Sequence, residues 1–132
     1  MVQKKNVLDS HPKYSMGVGE SFSNGRSTRS VYSDSLVTAR KELYKLCRSV
    51  KWHNSGSDPI GYVYEYGFVD PYKSGKKYWA IKKDIAYLTY DKKSDLLWWK
   101  PQGKERRLVK SDGTLGIAAN AYYKNLNKLR GL

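Results

Sequence analysis

The sequence predicts a two-layer α+β fold, in which an N-terminal and a C-terminal helix pack on one face of a five-stranded antiparallel meander and an extended N-terminal arm precedes them. Three observations lead to this prediction. Residues 60–110 contain short apolar runs separated by turn residues, which is typical of strands joined by hairpins. A segment on each side of this region repeats apolar residues with the spacing of one helical face. Residues 1–32 show neither period.

Residues 1–32 are predicted to form an extended or flexible arm. This stretch is rich in serine and glycine and has few aliphatic residues, so it offers little apolar surface to offset the entropy lost on folding. It also carries five basic residues, which are Lys4, Lys5, Lys13, Arg26 and Arg29. We therefore expect an arm that is disordered alone or becomes ordered on a partner, and a single compact domain over residues 33–132.

The first helix is predicted to begin at residues 33–35, where serine or aspartate can cap it, and to end at about Val50. Its apolar residues share one helical face, and they are Leu36, Ala39, Leu43, Leu46, Cys47 and Val50. A loop with glycine and proline then leads into the strands.

Five strands are predicted at about 60–69, 77–82, 85–91, 95–100 and 105–110. Glycine, proline, aspartate, serine and lysine occupy the breaks between them, and the tightest break is residues 82–84. Connections this short join antiparallel neighbours, so a meander is the expected topology.

A second amphipathic helix is predicted over residues 114–130. Its apolar face consists of Leu115, Ala118, Ala119, Tyr122, Leu126 and Leu129. Both helices need an apolar surface to cover, and we expect both to use the same face of the sheet.

Composition limits the setting and the partners of the chain. Its 132 residues suit one domain, and 25 lysines and arginines against 12 acidic residues give a net charge of +13, which favours an anionic partner. Cys47 is the sole cysteine, which fits a reducing compartment. Neither a signal-peptide core nor an apolar run of membrane-spanning length is evident. We therefore expect a protein of the cytoplasm, or of a particle assembled there, without a membrane partner.

The predicted strand 60–69 carries a row of aromatic residues on one side. Because side chains alternate along a strand, Tyr62, Tyr64, Tyr66 and Phe68 project from the same face. On a basic protein such rings can stack on bases while lysines hold phosphates. The rings can equally form the inner face of the sheet. Glu65, on the other side of the strand, favours rings inward, because an unpaired buried carboxylate is costly.

A non-enzymatic nucleic-acid-binding protein is the first functional hypothesis. No helix for reading a major groove is evident, so RNA or single-stranded nucleic acid is favoured over duplex DNA. Trp98 and Trp99 are adjacent and must point to opposite faces, which makes one of them a candidate stacking ring. The candidate contact residues are rings and cations, namely Tyr62, Tyr64, Tyr66, Lys76, Lys77, Lys82, Lys83, Lys92, Lys93, Trp98, Trp99, Arg106 and Arg107.

Two other functions stay open. A viral structural or assembly protein, or an inhibitor of a host factor, would use the arm at 1–32 to bind an acidic protein surface. A small metal-independent ribonuclease would use His53, just before the first strand, as its catalytic candidate. Neither a cofactor nor a metal is expected, because His11, His53 and Cys47 are too few and too scattered for a zinc site.

Overall fold

The computed structural model describes residues 10–22, 25–53 and 57–129. Over these ranges the chain is an α+β protein with two helices and an open antiparallel sheet of seven strands in the order β2-β1-β3-β4-β5-β6-β7. The strands are β1 (Tyr14–Phe22), β2 (Gly25–Ser33), β3 (Ile60–Val69), β4 (Tyr78–Asp91), β5 (Leu96–Pro101), β6 (Arg107–Val109) and β7 (Leu115–Ala118). The helices are α1 (Leu36–Ser49) and α2 (Ala119–Leu129).

The segment predicted as an arm contributes two strands to the sheet. From Tyr14 onward, β1 and β2 form an antiparallel hairpin, and β1 also pairs with β3, so the folded unit does not start at residue 33. Residues 1–9 lie outside the described residues. The strand pattern is present in β1 but hidden, because buried Met16 and Val18 alternate with Gly17 and Gly19, which have no side chain to mark the opposite face.

Helix α1 begins where the sequence predicts. Ser35 caps it, and its Oγ accepts a hydrogen bond from the Thr38 N–H at 3.3 Å. Ala39, Leu43 and Cys47, four residues apart, are buried against the sheet, where α1 packs mainly on β2 and β1. This packing forms one part of the central core, which continues across β3, β4 and β5.

Residues 82–84 do not form the predicted turn, because β4 continues from Tyr78 to Asp91. Lys82 and Ile85 have no opposite residue on β3, so each forms a bulge. A bulge lets a strand carry an extra residue and bend without ending. The two short strands predicted here are therefore one long strand, which changes the shape of the sheet.

Helix α2 begins at Ala119 and not at Thr114, because Leu115–Ala118 form β7. Gly113, with a φ of +86°, turns the chain back onto β6. The Asp112 carboxylate supports the turn by accepting a hydrogen bond from the Thr114 N–H at 3.0 Å. The apolar residues at 115 and 118 therefore belong to a strand pattern and not to a helical one.

The two helices lie on opposite faces of the sheet, whereas the sequence predicts one shared face. The Arg40 guanidinium of α1 lies 4.7 Å from the Trp99 ring centroid, and Tyr123 of α2 stacks on Trp98 at 5.9 Å. Adjacent strand residues point to opposite faces, so the helices do as well. Both sides of β5 carry large apolar side chains, and each side needs its own cover. We name the two sides of the sheet the α1 face and the α2 face.

Candidate nucleic-acid interface

The tyrosines of β3 project away from the central core. Val63 lies on the α1 face and is 0% exposed, whereas Tyr62 lies on the α2 face and is 49% exposed. The expectation that Glu65 would turn the rings inward is wrong, because Glu65 lies outside the central core. It is opposite Tyr14 and half-buried, with a carboxylate oxygen 3.9 Å from the Lys83 Nζ.

A concave surface of about 570 Å³ covers the α2 face of β1, β2 and β3. Its floor is made of glycine and serine, which leave open space above the strands, and its sides carry aromatic rings. We name this surface the tyrosine trough. Its floor residues are Ser15, Gly17, Gly19 and Ser30, and its wall residues are Tyr32, Tyr62, Tyr64 and Tyr66.

Tyr66 is a structural member of this wall. It is buried, and its hydroxyl is 3.0 Å from the Ser15 Oγ, with which it shares a hydrogen bond. The Tyr32 ring packs beside it at 6.5 Å. Tyr66 therefore ties β3 to β1 and does not present a free ring face.

Tyr62 is the ring that stands out from the wall. The Tyr64 ring stacks beside it with centroids 6.2 Å apart, and the Tyr87 ring of β4 meets its edge at 5.4 Å. Burial, with a smaller contribution from Asp84, raises the pKa of Tyr64, so this neighbour is a neutral hydrogen-bonding group. The two contacts hold the Tyr62 ring in one orientation while about half of it stays open.

A second hollow, of about 180 Å³, lies on the other side of Tyr62. Tyr87, Lys100 and Gln102 contribute to its lining. Lys100 is exposed and lies directly opposite Tyr87 in the β4–β5 pair, on the same face of the sheet. Tyr62 is thus a ridge between the trough and a smaller hollow that is lined by the cation Lys100 and by the acidic Asp84.

The other predicted cations fall into two groups. Lys76, Lys77, Lys82, Lys83 and Lys93 are exposed, the first four on the β3–β4 hairpin and the last in the turn after β4. Lys92 has a structural position, because its Nζ donates to Glu20 at 2.8 Å and to the His53 carbonyl at 2.7 Å. Burial opposes ionisation of Glu20, but the hydrogen bonds from Lys92 and from the His53 N–H outweigh it and lower the Glu20 pKa.

The predicted tryptophans and arginines serve the fold. Trp98 is 1% exposed and Trp99 is 5% exposed, so neither offers a ring face to a base. The Arg106 guanidinium lies 5.4 Å from the Trp98 ring centroid. Arg107 donates hydrogen bonds to the Gly116 and Leu115 carbonyls of β7. These four residues join β5, β6 and β7 and lie apart from the tyrosine trough.

Tyr87, Lys100 and the floor of the trough are site residues that were not predicted from the sequence. The floor had a detectable signal, since serine and glycine alternate with larger residues from Tyr14 to Ser21. Tyr87 and Lys100 had none, because only the strand register brings them beside Tyr62.

His53, the catalytic candidate of the ribonuclease hypothesis, lies in the loop before β3. His53 ties its loop to Glu20 and Lys92 through its backbone N–H and carbonyl. Within the described ranges, no three histidine, cysteine or carboxylate side chains are grouped to hold a metal, and no helix is long and apolar enough to cross a membrane.

Comparison of the chain with models of protein families, with curated proteins and with solved structures gave no match. The function therefore has to be inferred from the chemistry of the residues described above.

Proposed function

We propose that this chain is a small, basic, non-enzymatic protein that binds unpaired nucleotides of RNA or single-stranded DNA on the tyrosine trough. The observation that carries the proposal is the half-exposed Tyr62 ring, held by Tyr64 and Tyr87 above an uncharged glycine and serine floor. The net charge of +13 supplies the attraction to an anionic strand.

Stacking is the expected source of affinity. A base on an aromatic side chain contributes about 1–3 kcal/mol, whatever the base, because every base has a π face. Two neighbouring rings already fix Tyr62, so little side-chain entropy is lost when a base stacks on it. The exposed Ser30 hydroxyl of the floor can form a hydrogen bond with a base edge.

Phosphates are expected at the margins of the site. The described side chains of the trough are uncharged apart from Glu20, whose carboxylate is bonded to Lys92. Lys100 stands beyond Tyr62, where the backbone of a stacked nucleotide would leave the trough. We therefore expect the bases to contact the rings and the phosphates to contact exposed lysines such as Lys100. On this proposal the protein acts in the cytoplasm, or in a particle assembled there.

Fluorescence anisotropy with labelled oligo(dT) and oligo(U) tests the proposal. We expect binding of both strands, with an affinity that falls linearly on a log–log plot as salt rises from about 50 to 200 mM. Tyr62→Ala should weaken binding about 5-fold to 150-fold, which corresponds to the loss of one stacked base. Tyr62→Phe keeps the ring and should bind like the wild type.

The control is Tyr123→Ala, which removes an exposed ring of α2 on another part of the chain. This variant should keep the wild-type affinity once its folded fraction is taken into account. Failure of the wild type to bind either strand, or equal affinity of the wild type and Tyr62→Ala, would contradict the proposal.

A further inference from the structure

The β3–β4 hairpin projects beyond the rest of the sheet. On one side, the last residue of β3 paired with β1 is Glu65; on the other, the last residue of β4 paired with β5 is Ala86. Beyond these points, residues 66–69 pair with residues 78–81 in a two-stranded ribbon, and the Tyr66 N–H also donates to the Lys13 carbonyl at 2.8 Å. We name residues 66–84 the projecting hairpin.

The paired strands of the projecting hairpin are fixed by aromatic contacts. The Trp79 indole donates a hydrogen bond to the Pro12 carbonyl at 3.0 Å, and the His11 ring lies 5.0 Å from the Trp79 ring. Phe68 packs edge-on against Trp79 at 5.0 Å. Phe68 and Trp79 form the next-to-last pair of the ribbon, so these contacts brace the ribbon close to its tip.

The tip of the projecting hairpin is also ordered. The Asp70 carboxylate accepts hydrogen bonds from the Ser74 N–H at 2.9 Å and from the Gly75 N–H at 2.7 Å. The bond from Ser74 contributes most to lowering the Asp70 pKa, so the carboxylate stays ionised and keeps the turn closed. Lys73 and Gly75 have positive φ angles, as a tight turn requires. The projecting hairpin is therefore a stiff element with a defined end.

The surface of the projecting hairpin is strongly basic. Its five lysines are all exposed, and they are Lys73, Lys76, Lys77, Lys82 and Lys83. Its two acidic residues are Asp70, whose charge is used in the turn, and Asp84, where the projecting hairpin joins the sheet. Tyr72, at the tip, is 81% exposed. A rigid cationic ribbon with an exposed ring at its end is suited to a polyanion with a groove.

We propose that the projecting hairpin enters the major groove of B-form DNA next to the unpaired strand held by the tyrosine trough. The ligand is then a junction between single-stranded and double-stranded DNA. The inference rests on the proposed function for the unpaired part, and it adds the duplex part. β3 links the two sites, because it carries Tyr62 in the trough and continues about 20 Å further to the base of the tip.

The dimensions favour this groove. Two paired strands lie about 5 Å apart, and the B-form major groove, about 12 Å wide, admits a two-stranded ribbon. Lys73, Lys76 and Lys77 at the tip and Lys82 and Lys83 on β4 would then face phosphates on the walls of the groove. The major groove of A-form RNA is too narrow for such a ribbon, so the duplex part is DNA. No helix for reading a groove is evident in the sequence, and this ribbon supplies a groove-reading element of another kind.

Four labelled probes test the inference: a DNA duplex with a single-stranded overhang, the overhang strand alone, the blunt duplex, and an RNA duplex with the same overhang. We expect the DNA junction to bind at least about tenfold more tightly than the strand alone, because two sites act on one ligand. The triple variant Lys73→Gln, Lys76→Gln, Lys77→Gln should lose this gain and keep its affinity for the single strand. Its salt slope on the junction should fall by up to about 3.

The matched control changes three exposed helix lysines, Lys41→Gln, Lys45→Gln and Lys124→Gln, and removes the same charge. It should keep the preference for the junction. Both triple variants change exposed side chains, and their melting temperatures should match that of the wild type.

Three outcomes would overturn the inference: equal affinity for junction and single strand, an equal gain with the RNA junction, or an equal loss for both triple variants. In each case Tyr62-dependent binding of the single strand would persist. Loss of that binding would instead contradict the proposed function, so the two failures are distinguishable.

Discussion

Trp98 and Trp99 are neighbours on β5, yet they belong to two different cores. Trp99 lies under the Arg40 guanidinium on the α1 face, and Trp98 lies under the Tyr123 ring on the α2 face. Each helix therefore covers a different part of the sheet, α1 over β1 and β2 and α2 over the strands near the other edge. No helix among the described residues covers the α2 face of β1 to β3, and the tyrosine trough occupies that area.

Arg40 should contribute strongly to stability. It is buried, its Nε donates to the Gly113 carbonyl at 2.7 Å, and its guanidinium covers Trp99. Arg40→Ala removes a charged donor from a buried carbonyl and should lower the free energy of unfolding by about 2–3 kcal/mol, measured by urea denaturation. Arg40→Lys should recover only part of this, because lysine has neither the planar group nor the Nε. Equal stability of Arg40→Ala and the wild type would contradict the assignment.

Gly61 and Gly67 lie on the same side of β3 but should differ in their tolerance of alanine. A Cβ at Gly61 would lie 1.7 Å from the Gly17 carbonyl oxygen, which belongs to rigid backbone. Gly61→Ala should therefore lower the free energy of unfolding by about 2 kcal/mol or more. At Gly67 the nearest atom is the flexible Lys82 Cδ at 3.3 Å, so Gly67→Ala should be neutral or slightly stabilising. The melting temperatures of the two variants, measured by thermal unfolding, test this difference. A similar decrease in both variants would contradict it.

Tyr66 should matter for stability and not for ligand binding. Tyr66→Phe keeps the ring and removes the hydroxyl that bonds the Ser15 Oγ, so the free energy of unfolding should fall by about 1 kcal/mol. Its affinity for oligo(dT) should match that of the wild type when the protein is fully folded. A Tyr66→Phe variant with normal stability and weak binding would reverse the roles assigned to Tyr62 and Tyr66.

The Glu20–Lys92 pair should make stability fall in acid. The folded-state pKa of Glu20 lies below the ordinary glutamate value, so its contribution is complete above that value, about 4.3. The contribution is lost as pH falls through the lower folded-state pKa, because the carboxylate must then bind a proton. Glu20→Gln should lower the free energy of unfolding by about 3–5 kcal/mol at neutral pH, because it removes the buried carboxylate that pairs with Lys92.

Urea denaturation from neutral pH to pH 3 measures this effect. The loss in acid should be smaller in Glu20→Gln than in the wild type, whereas Glu42→Gln, at an exposed position of α1, should keep the wild-type pH profile. A Glu20→Gln profile parallel to that of the wild type would show that another group controls the acid transition.

The parts of the fold predictable from sequence are those with a complete local signal. α1 has a serine cap and a regular apolar face, and β3 has alternation over its whole length. β1 lacks such a signal because Gly17 and Gly19 have no side chains, so the alternation between the two faces of the strand cannot be recognised. In β4 the three polar residues at 82–84 resemble a turn, and only pairing with β3 makes them part of a bulged strand.

The candidate site was predictable only in part for the same physical reason. The alternation in β3 puts Tyr62 and Tyr64 on one face, but it cannot show which face the helices cover. That choice depends on Trp98 and Trp99, which place a large apolar ring on each side of β5, so that both sides have to be buried. Tyr87 and Lys100 lie beside Tyr62 because of the register in which β3, β4 and β5 pair. This register is set only when the sheet forms.

The tyrosine trough has a consequence for the order of folding. Its floor comes from β1 and its main ring from β3, two strands separated in the chain by β2, α1 and a loop. Neighbouring strands such as β3 and β4 close a short loop, whereas β1 has to find β3 across this long separation, which costs more chain entropy. We expect β3 and β4 to pair early and the β1–β2 hairpin to dock late, so that newly made chains gain the trough only in their last folding step. Pulse-labelling hydrogen exchange that finds β1 protected from exchange before β4 would contradict this order.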